Sequence, residues 1–584
     1  MTVPTLDAAQ TAAATIAPSE RQLVVAGPGA GKTEVVSALL AHLVVDEELE
    51  PGVDVLVVTF SRAAVDAVKR RLRAADVQAG AAVHTLDALA ARIVGETSDH
   101  DVARMSFDDR VKRAHEALLG GLWEPAGDLA HVVVDEVQDV VGIRADFLLA
   151  LLDQLPGDAG FTLLGDPAQA IYDFQLDGPS ATTNDKFLRR ATGLAGAVER
   201  ELTGNYRATT REARRAAALR EGAVANLGDA RDTVRGFVES LVPMELDELP
   251  PILTLPGETS AVLAPDNGRA LLIAHELWER GVRATLRRPA REPVIDRWVA
   301  ETLSGRPTWT RDELLAAHDD DEVAAARWRD LRGVVRPRGG TIDTSAVAAR
   351  LARGALPPEI AASEGSGQYV STIHRAKGLE FDTVVLARYQ AREDEDVAAA
   401  TRLAYVAITR ARVRLCRMDG PTHWALRIDR RSGRWYVGGK SPWQTYRLEL
   451  RGDDLDRSVP PGEDRESVQE HLRRRVQQGD PLDLVLDHMR STLTVPIWKV
   501  LHRGVEIGAT SEHFGRELAA RVGPPSTRRP PTLAWPALLG ARVESIATVV
   551  GEPQRSEPGP VGRYGMWLSV RAVGLLQLRW RADT

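Results

Sequence analysis

At 584 residues the chain is too long for one ordinary hydrophobic core and should fold as several domains. Hydrophobic content of 44% and charged content of 27% are those of a globular protein; no apolar run reaches the roughly 20 residues of a membrane span and no basic-then-apolar leader is evident, so a cytoplasmic setting without membrane contact is expected. A net charge of −8 gives no global pull toward nucleic acid, so any such site must be a local basic groove, and the single cysteine, Cys416, excludes an internal disulfide and multi-cysteine metal sites.

In chain order, the first strong signal is "AGPGAGKT", comprising Ala26, Gly27, Pro28, Gly29, Ala30, Gly31, Lys32 and Thr33, after the apolar run Leu23-Val24-Val25 and before a helix-like stretch. This is a phosphate cradle. Glycines let backbone N–H groups turn inward on the phosphates, Lys32 reaches the outer phosphates, and the Thr33 hydroxyl is placed for Mg²⁺. Next, "HVVVDEVQD" (131–139) reads as a buried parallel strand ending in Asp135 and Glu136. An acid there can hold the Mg²⁺ shell, and its neighbour can polarise an attacking water. A third strand, "FTLLGDPAQAIYDF" (161–174), places Asp166 and Gln169 just past its apolar part, where an amide can bond a phosphate oxygen and a water at once. Together these predict ATP or GTP hydrolysis.

Basic positions are overwhelmingly arginine. Only seven lysines occur, and two of them, Lys32 and Lys377, fall inside motifs, which points to chemistry that calls for a compact ammonium. Cys416 lies in "ARVRLCRM", which alternates like a strand and predicts a core thiol.

With these pieces in order, the chain resembles the UvrD/Rep group of superfamily 1 helicases. "LDAAQTAA" looks like that group's adenine-reading motif, with Gln10 as reader. "VVTFSRAA" and "VHTL" resemble its DNA-contacting segments, with Thr59, Phe60, Arg62, His84 and Thr85. "DEVQD", "GDPAQAIY" and "LTGNYR" match its second, third and fourth motifs, the last ending in Arg207. "STIHRAKGLEFDTVVL" and "RLAYVAITRAR" resemble the fifth and sixth, bringing Thr372, His374, Glu380 and Arg410. The resemblance implies ATP and Mg²⁺ as cofactors, with Thr33 and Asp135 at the metal. It makes Lys32, Asp135, Glu136, Gln169, Arg207 and Arg410 catalytic, and Gln10 and Glu380 nucleotide contacts. Tyr172 and Phe174 join the DNA contacts. The implied activity is a 3′–5′ DNA helicase or translocase on single-stranded DNA and single-strand/duplex junctions, with DNA repair or recombination as the default process. A translocase subunit without its own unwinding, serving a partner or defence against foreign DNA, is the first alternative; an ATP-gated assembly module is the second.

The chain departs from the family pattern in two ways. Where x-Trp-Arg usually follows "IY", it has Asp173-Phe174-Gln175, and Ser61-Arg62 stands where a lysine is usual, which predicts weaker or redistributed DNA affinity. Its inserts are also short. The expected fold is α/β: two RecA-like P-loop lobes with parallel sheets, short helical inserts and a C-terminal α+β accessory domain. The first lobe is expected over residues 1–86 and 131–205, its insert over 87–130, the second lobe over 206–299 and 367–417, and its insert over 300–366. In that second insert, Asp319-Asp320-Asp321-Glu322 reads as a helix-start cluster rather than a metal site.

Residues 418–584 match no motif and hold seven of the twelve tryptophans. "WALRIDRRSGRWYVGG" predicts a strand–turn–strand, "RESVQEHLRRRVQQG" a helix, and "YGMWLSVRAVGLLQLRW" a strand. The tryptophans should mostly fill a core, and this segment could dock a protein partner or DNA.

Overall fold

The computed structural model describes residues 6–580, apart from 61, 76, 78–81, 99–104, 173–180, 194–195, 221–227, 288–293, 354–359, 363–366, 388–396, 422–424, 440–444, 493, 523–534 and 554–560. Two compact units divide the chain: residues 1–243 with 373–417, and residues 244–372 with 418–584.

Unit one is built on a six-stranded sheet of β1 (Arg21–Ala26), β2 (Val55–Thr59), β3 (Val83–Thr85), β4 (His131–Val134), β5 (Gly160–Gly165) and β6 (Val198–Leu202), in the order β3-β2-β4-β5-β1-β6. Every pairing is parallel. Strands β2, β4 and β5 are buried at every position, which is why they read as unbroken apolar runs.

The helices that pack around this sheet include α1 (Ala8–Ala14), α2 (Lys32–Val45), α3 (Arg62–Ala74), α4 (Leu86–Thr97), α5 (Phe107–Leu119), α6 (Ile143–Asp153) and α7 (Asn184–Gly193). Leu39, Leu40 and Leu43 of α2 and Val65, Val68 and Leu72 of α3 share one core with Val24 and Val57. Leu89 and Ile93 of α4, Val111 of α5 and Phe147 and Leu151 of α6 share another with Leu56 and Val132. Because successive residues of β2 enter different cores, the two clusters lie on opposite faces of the sheet. Each fully buried leucine contributes about 1.5–3 kcal/mol. The segment expected as the first insert folds as α4 and α5, started by the Thr85 and Ser106 side chains, which accept from Ala88 N and Asp109 N.

Unit one also holds the strands Phe381–Ala387 and Ala411–Met418 flanking the helix Val397–Ile408. Cys416 sits in the second of these and is half-buried, with burial raising its thiol pKa.

In unit two, Ser260–Ala264, Gln368–Thr372 and Thr285–Leu286 pair in parallel. The insert contributes an antiparallel pair, Thr308–Thr310 with Thr341–Asp343, and the helices Arg311–Ala316 and Asp321–Val334. Asp320 caps the second helix, accepting from Glu322 N and Val323 N, so the acidic run opens a helix.

The C-terminal region forms an eight-stranded antiparallel sheet whose longest hairpin pairs Ala537–Val550 with Met566–Arg579. The helix Arg465–Arg474 packs on it. Trp498, Trp535 and Trp567 are buried, Trp580 is 40% exposed, and Trp424 and Trp443 lie outside the described residues.

This sheet is not a separate appendage. Met566 belongs to the insert's core with Trp298, Trp309 and Trp328, and Ala300 belongs to the sheet's core. Thr548 bonds the backbone around Ile295 to Ala300, its N donating to Ile295 O at 3.1 Å and its hydroxyl accepting from Ala300 N at 2.9 Å. A Cβ on Gly268 would lie 2.4 Å from the Trp435 ring, so that ring rests directly on the helix Asn267–Glu279.

The fold class is therefore α/β with the parallel sheets of RecA-like lobes and a C-terminal antiparallel sheet. Among the described residues, no helix is long and apolar enough to cross a membrane.

Candidate nucleotide and nucleic-acid site

Parallel strands deliver their carboxyl ends to one edge of a sheet. In unit one, β1 runs into the glycine-rich loop, β4 into Asp135-Glu136, β5 into Asp166 and β6 into the segment Thr203 to Arg207. The sequence motifs converge for this reason, as ligand sites do in open α/β sheets.

Two of the loop's glycines have no room for a side chain. Gly29 and Gly31 have φ of 77° and 82°. A Cβ on Gly29 would sit 2.6 Å from Arg207 Cβ and 2.9 Å from Asn205 Oδ1, and one on Gly31 would sit 2.4 Å from Gln10 Nε2. Gln10 is buried in α1, where Asp7 and Gln10 form a reciprocal cap, and its Nε2 donates to Ala30 O at 3.0 Å. Lys32 opens α2 and donates to Ala26 O at 3.0 Å, while Thr33 follows half-buried.

Asp135 and Glu136 sit just past β4. Glu136 takes the left-handed φ of 57°, unusual for a non-glycine residue, and Asp135 Oδ1 accepts from its backbone N at 2.9 Å. Burial, then the neighbouring Glu136, pushes the Asp135 carboxyl pKa up. For Glu136, burial acts the same way but is outweighed by Lys32 and Lys377, with help from Gln138 and Arg410, and the pKa is lowered. Environment thus separates two adjacent carboxyls. Gln138 ties this turn to the next strand: its Nε2 donates to Glu136 and its Oε1 accepts from Asp166 N at 3.0 Å.

Gln169 is held from two sides. Its Nε2 donates to Asp166 Oδ2 at 2.8 Å and its Oε1 accepts from Arg410 Nη2 at 3.0 Å. Arg410 is 2% exposed and also donates to Val406 O and Leu379 O at 2.9 and 3.2 Å. Burial, then the adjacent Arg207, lowers its pKa to about 10. Arg207 pairs with Glu380 at 2.6 Å and donates to Thr409 O at 3.4 Å. The structure therefore gathers Gln10, Lys32, Asp135, Glu136, Gln169, Arg207, Glu380 and Arg410 in unit one.

Several residues here escaped sequence reasoning. The sequence places Lys377 inside a motif but gives it no partner. It pairs with Asp139, both side chains about 95% shielded, and donates to Gln169 O. Burial pushes the Asp139 carboxyl up to about 7 despite Lys377. Asn205 bonds Pro28 O, and Tyr206, 60% exposed, donates its hydroxyl to Asp7 beside Gln10. Gln138, Asp139, Asn205 and Tyr206 all lie inside quoted motifs, so position alone could have flagged them. Arg220 carries no sequence signal.

The nucleic-acid candidates divide. Phe60, Tyr172 and His374 come together, with ring centroids 5.7 Å apart for the first pair and 6.2 Å for the second. Lys377 Nζ lies 5.3 Å from the Tyr172 centroid, and the Tyr172 hydroxyl donates to His374 O at 3.3 Å. This is an aromatic and cationic cluster of the kind on which bases stack. Thr59 is 1% exposed and Thr85 is occupied as a helix cap. His84 is half-buried. Thr372 is buried in unit two. The Arg62 side chain and Phe174 lie outside the described residues.

Comparison with known families agrees with this arrangement. Residues 9–175 match the family model for an AAA domain, and residues 367–416 match that for a UvrD-like helicase C-terminal domain. No curated protein sequence matches the chain. Among solved structures, the Pif1 helicase from Candida albicans is similar at 12% identity and a TM-score of 0.37, covering 71% of this chain and 95% of that one. A Pif1 helicase from Bacteroides in complex with ADP-AlF3 and single-stranded DNA is similar at 15% identity and 0.33, covering 70% and 90%. The helicase MrfA bound to DNA and AMPPNP is similar at 12% and 0.32, covering 71% and 48%. The two family matches fall on the motor motifs at the two ends of the motif series and support an ATP-driven nucleic-acid helicase or translocase.

Proposed function

We propose that the chain is an ATP-hydrolysing motor that moves 3′ to 5′ on single-stranded DNA and separates strands at single-strand/duplex junctions. The observation that carries this reading is the single buried network joining Lys377, Gln169, Arg410 and Asp166 beside Asp135 and Glu136. A passive nucleotide switch has less need of so complete a hydrolytic set. The residues fit a nucleotide with Mg²⁺, because a Cβ at Gly29 or Gly31 would collide with its neighbours, Lys32 follows directly, and the buried Asp135 carboxyl lies past a strand of the same sheet. Lys32 and the loop amides would hold the phosphates, with Thr33 and Asp135 at the ion; Mg²⁺ supplies charge neutralisation on the phosphates.

In this reading Glu136, kept ionised by its cationic neighbours, accepts the proton of the attacking water, and Gln169 orients that water. Arg410 and Arg207 offset the charge developing on the γ-phosphoryl oxygens. Gln169 and the Phe60–Tyr172–His374 cluster are joined through Lys377, which gives hydrolysis a route to the strand. The 3′–5′ polarity and a role in repair or recombination rest on the motif resemblance. The short α4–α5 insert favours one second reading, a translocase that needs a partner to unwind.

Strand displacement on duplexes with a 3′ tail, a 5′ tail or no tail tests both. Displacement from the 3′-tailed duplex alone is expected. Displacement from the 5′-tailed duplex alone would reverse the polarity, and ATP consumption without displacement would leave the translocase.

A further inference from the structure

Arg220 lies beyond every recognised motif, yet its guanidinium reaches the centre of the site. Its Nε donates to Asp166 Oδ1 at 3.0 Å and its Nη1 to Glu201 Oε1 at 3.1 Å. Its Cδ would lie 3.1 Å from a Cβ on Gly27, so the stem rests against the phosphate loop. Asp166 is wholly buried, and its two oxygens are divided between donors: Oδ1 takes Arg220 and Ala168 N, and Oδ2 takes Gln169 Nε2.

That division fixes which way the Gln169 amide faces. With Nε2 committed to Asp166, Oε1 is the end presented to Arg410. Without Arg220, Asp166 Oδ1 loses its side-chain donor, and the carboxylate is no longer held in the plane that presents Oδ2 to Gln169 Nε2. A carboxamide released from Asp166 can invert, which would set its NH₂ against the Arg410 guanidinium, donor against donor. We infer that Arg220 is a positioning residue for ATP hydrolysis, holding Asp166 so that the Gln169 carboxamide keeps the orientation in which it engages Arg410 and the γ-phosphate. The inference rests on the hydrolytic reading of Gln169 given above.

The test uses the full-length protein, with single-stranded DNA-stimulated ATPase kinetics and equilibrium binding of ATPγS and ADP. Arg220→Gln should lower kcat by about 10- to 100-fold, the scale of a misplaced catalytic group, with ADP affinity unchanged and ATPγS affinity reduced. Arg220→Lys, which keeps the charge and spares the buried carboxylate, should restore part of kcat. In a Gln169→Ala background, Arg220→Gln should cost nothing further, which a merely structural role would not predict. Unchanged kcat and ATPγS affinity in Arg220→Gln would overturn the inference, as would losses that multiply with those of Gln169→Ala or an equal loss of ADP and ATPγS binding. Should Arg220→Gln fail to fold, Arg220→Lys is read against Gln169→Ala in the same cycle. If the wild-type protein binds ATPγS but hydrolyses nothing, the hydrolytic reading fails, and the ATPγS-to-ADP ratio still decides the role of Arg220.

Discussion

Arg410 reaches Gln169 with 3.0 Å between Nη2 and Oε1, joining the third and sixth motifs, 241 residues apart in sequence, through one buried hydrogen bond. Three backbone or hydroxyl acceptors hold the rest of the guanidinium, so its position is set by the fold as well as by Gln169.

Arg410→Ala should therefore cut kcat by about 10³-fold or more if it offsets transition-state charge, while leaving ADP binding intact. Steady-state ATPase with saturating single-stranded DNA measures this. An unchanged kcat would make the residue structural.

Lys377→Met leaves Asp139 buried without its cation, which should cost roughly 3–5 kcal/mol in urea unfolding. Adding Asp139→Asn should recover much of that loss. Additive losses would show that the two side chains act independently.

Phe60→Ala and Tyr172→Ala should each weaken binding of a fluorescent oligothymidylate by about 1–3 kcal/mol, the scale of one lost base stack. Basal hydrolysis without DNA should persist. Unaltered affinity in both would confine the cluster to packing.

His131 predicts a pH dependence of stability. It is fully buried, bonded to Pro18 O and Thr162 Oγ1, and burial lowers its pKa to about 4 from an ordinary 6.5. Below 6.5 the unfolded chain takes up a proton that the folded chain refuses, so this contribution is full above 6.5 and is lost as pH falls toward 4. The slope should approach about 1.4 kcal/mol per pH unit in that window, and His131→Gln should flatten it. Thermal unfolding of both proteins between pH 4 and 7 checks the sign.

Removing residues 418–584 should not leave a folded remainder in unit two. It would uncover Trp298, Trp309 and Trp328 around the lost Met566 and strip Trp435 from Gly268. Limited proteolysis of residues 1–417 should degrade the segment 244–372 rapidly; resistance there would show that it folds without the C-terminal sheet.

The parts of the site that sequence made legible are those whose chemistry demands a residue type at a fixed spacing. The loop Ala26 to Thr33, the strand-end acids and Gln169 are of this kind, because a parallel sheet brings strand ends together whatever the intervening chain. Arg220 and the Lys377–Asp139 pair were hidden because they depend on which distant segments meet. The tail illustrates the same limit in the fold. Three of its eight strands and the helix Arg465–Arg474 were readable from local pattern, but its role as core for residues 244–372 was not, since shared burial between remote segments has no local period.

The interleaved chain path has a consequence for synthesis. Unit one begins with residues 1–243 but acquires Lys377 and Arg410 only after residues 244–372 have emerged, and those in turn wait for strands ending at Arg579. Neither unit can close as a contiguous stretch leaving the ribosome. Until then the nascent chain carries a glycine-rich loop able to meet nucleotide beside a site still missing its arginine, and exposed tryptophans without their covering sheet. Long-range closure of this kind is slow and exposes apolar surface. Refolding yield from denaturant should accordingly fall with protein concentration long before stability of the finished protein becomes limiting.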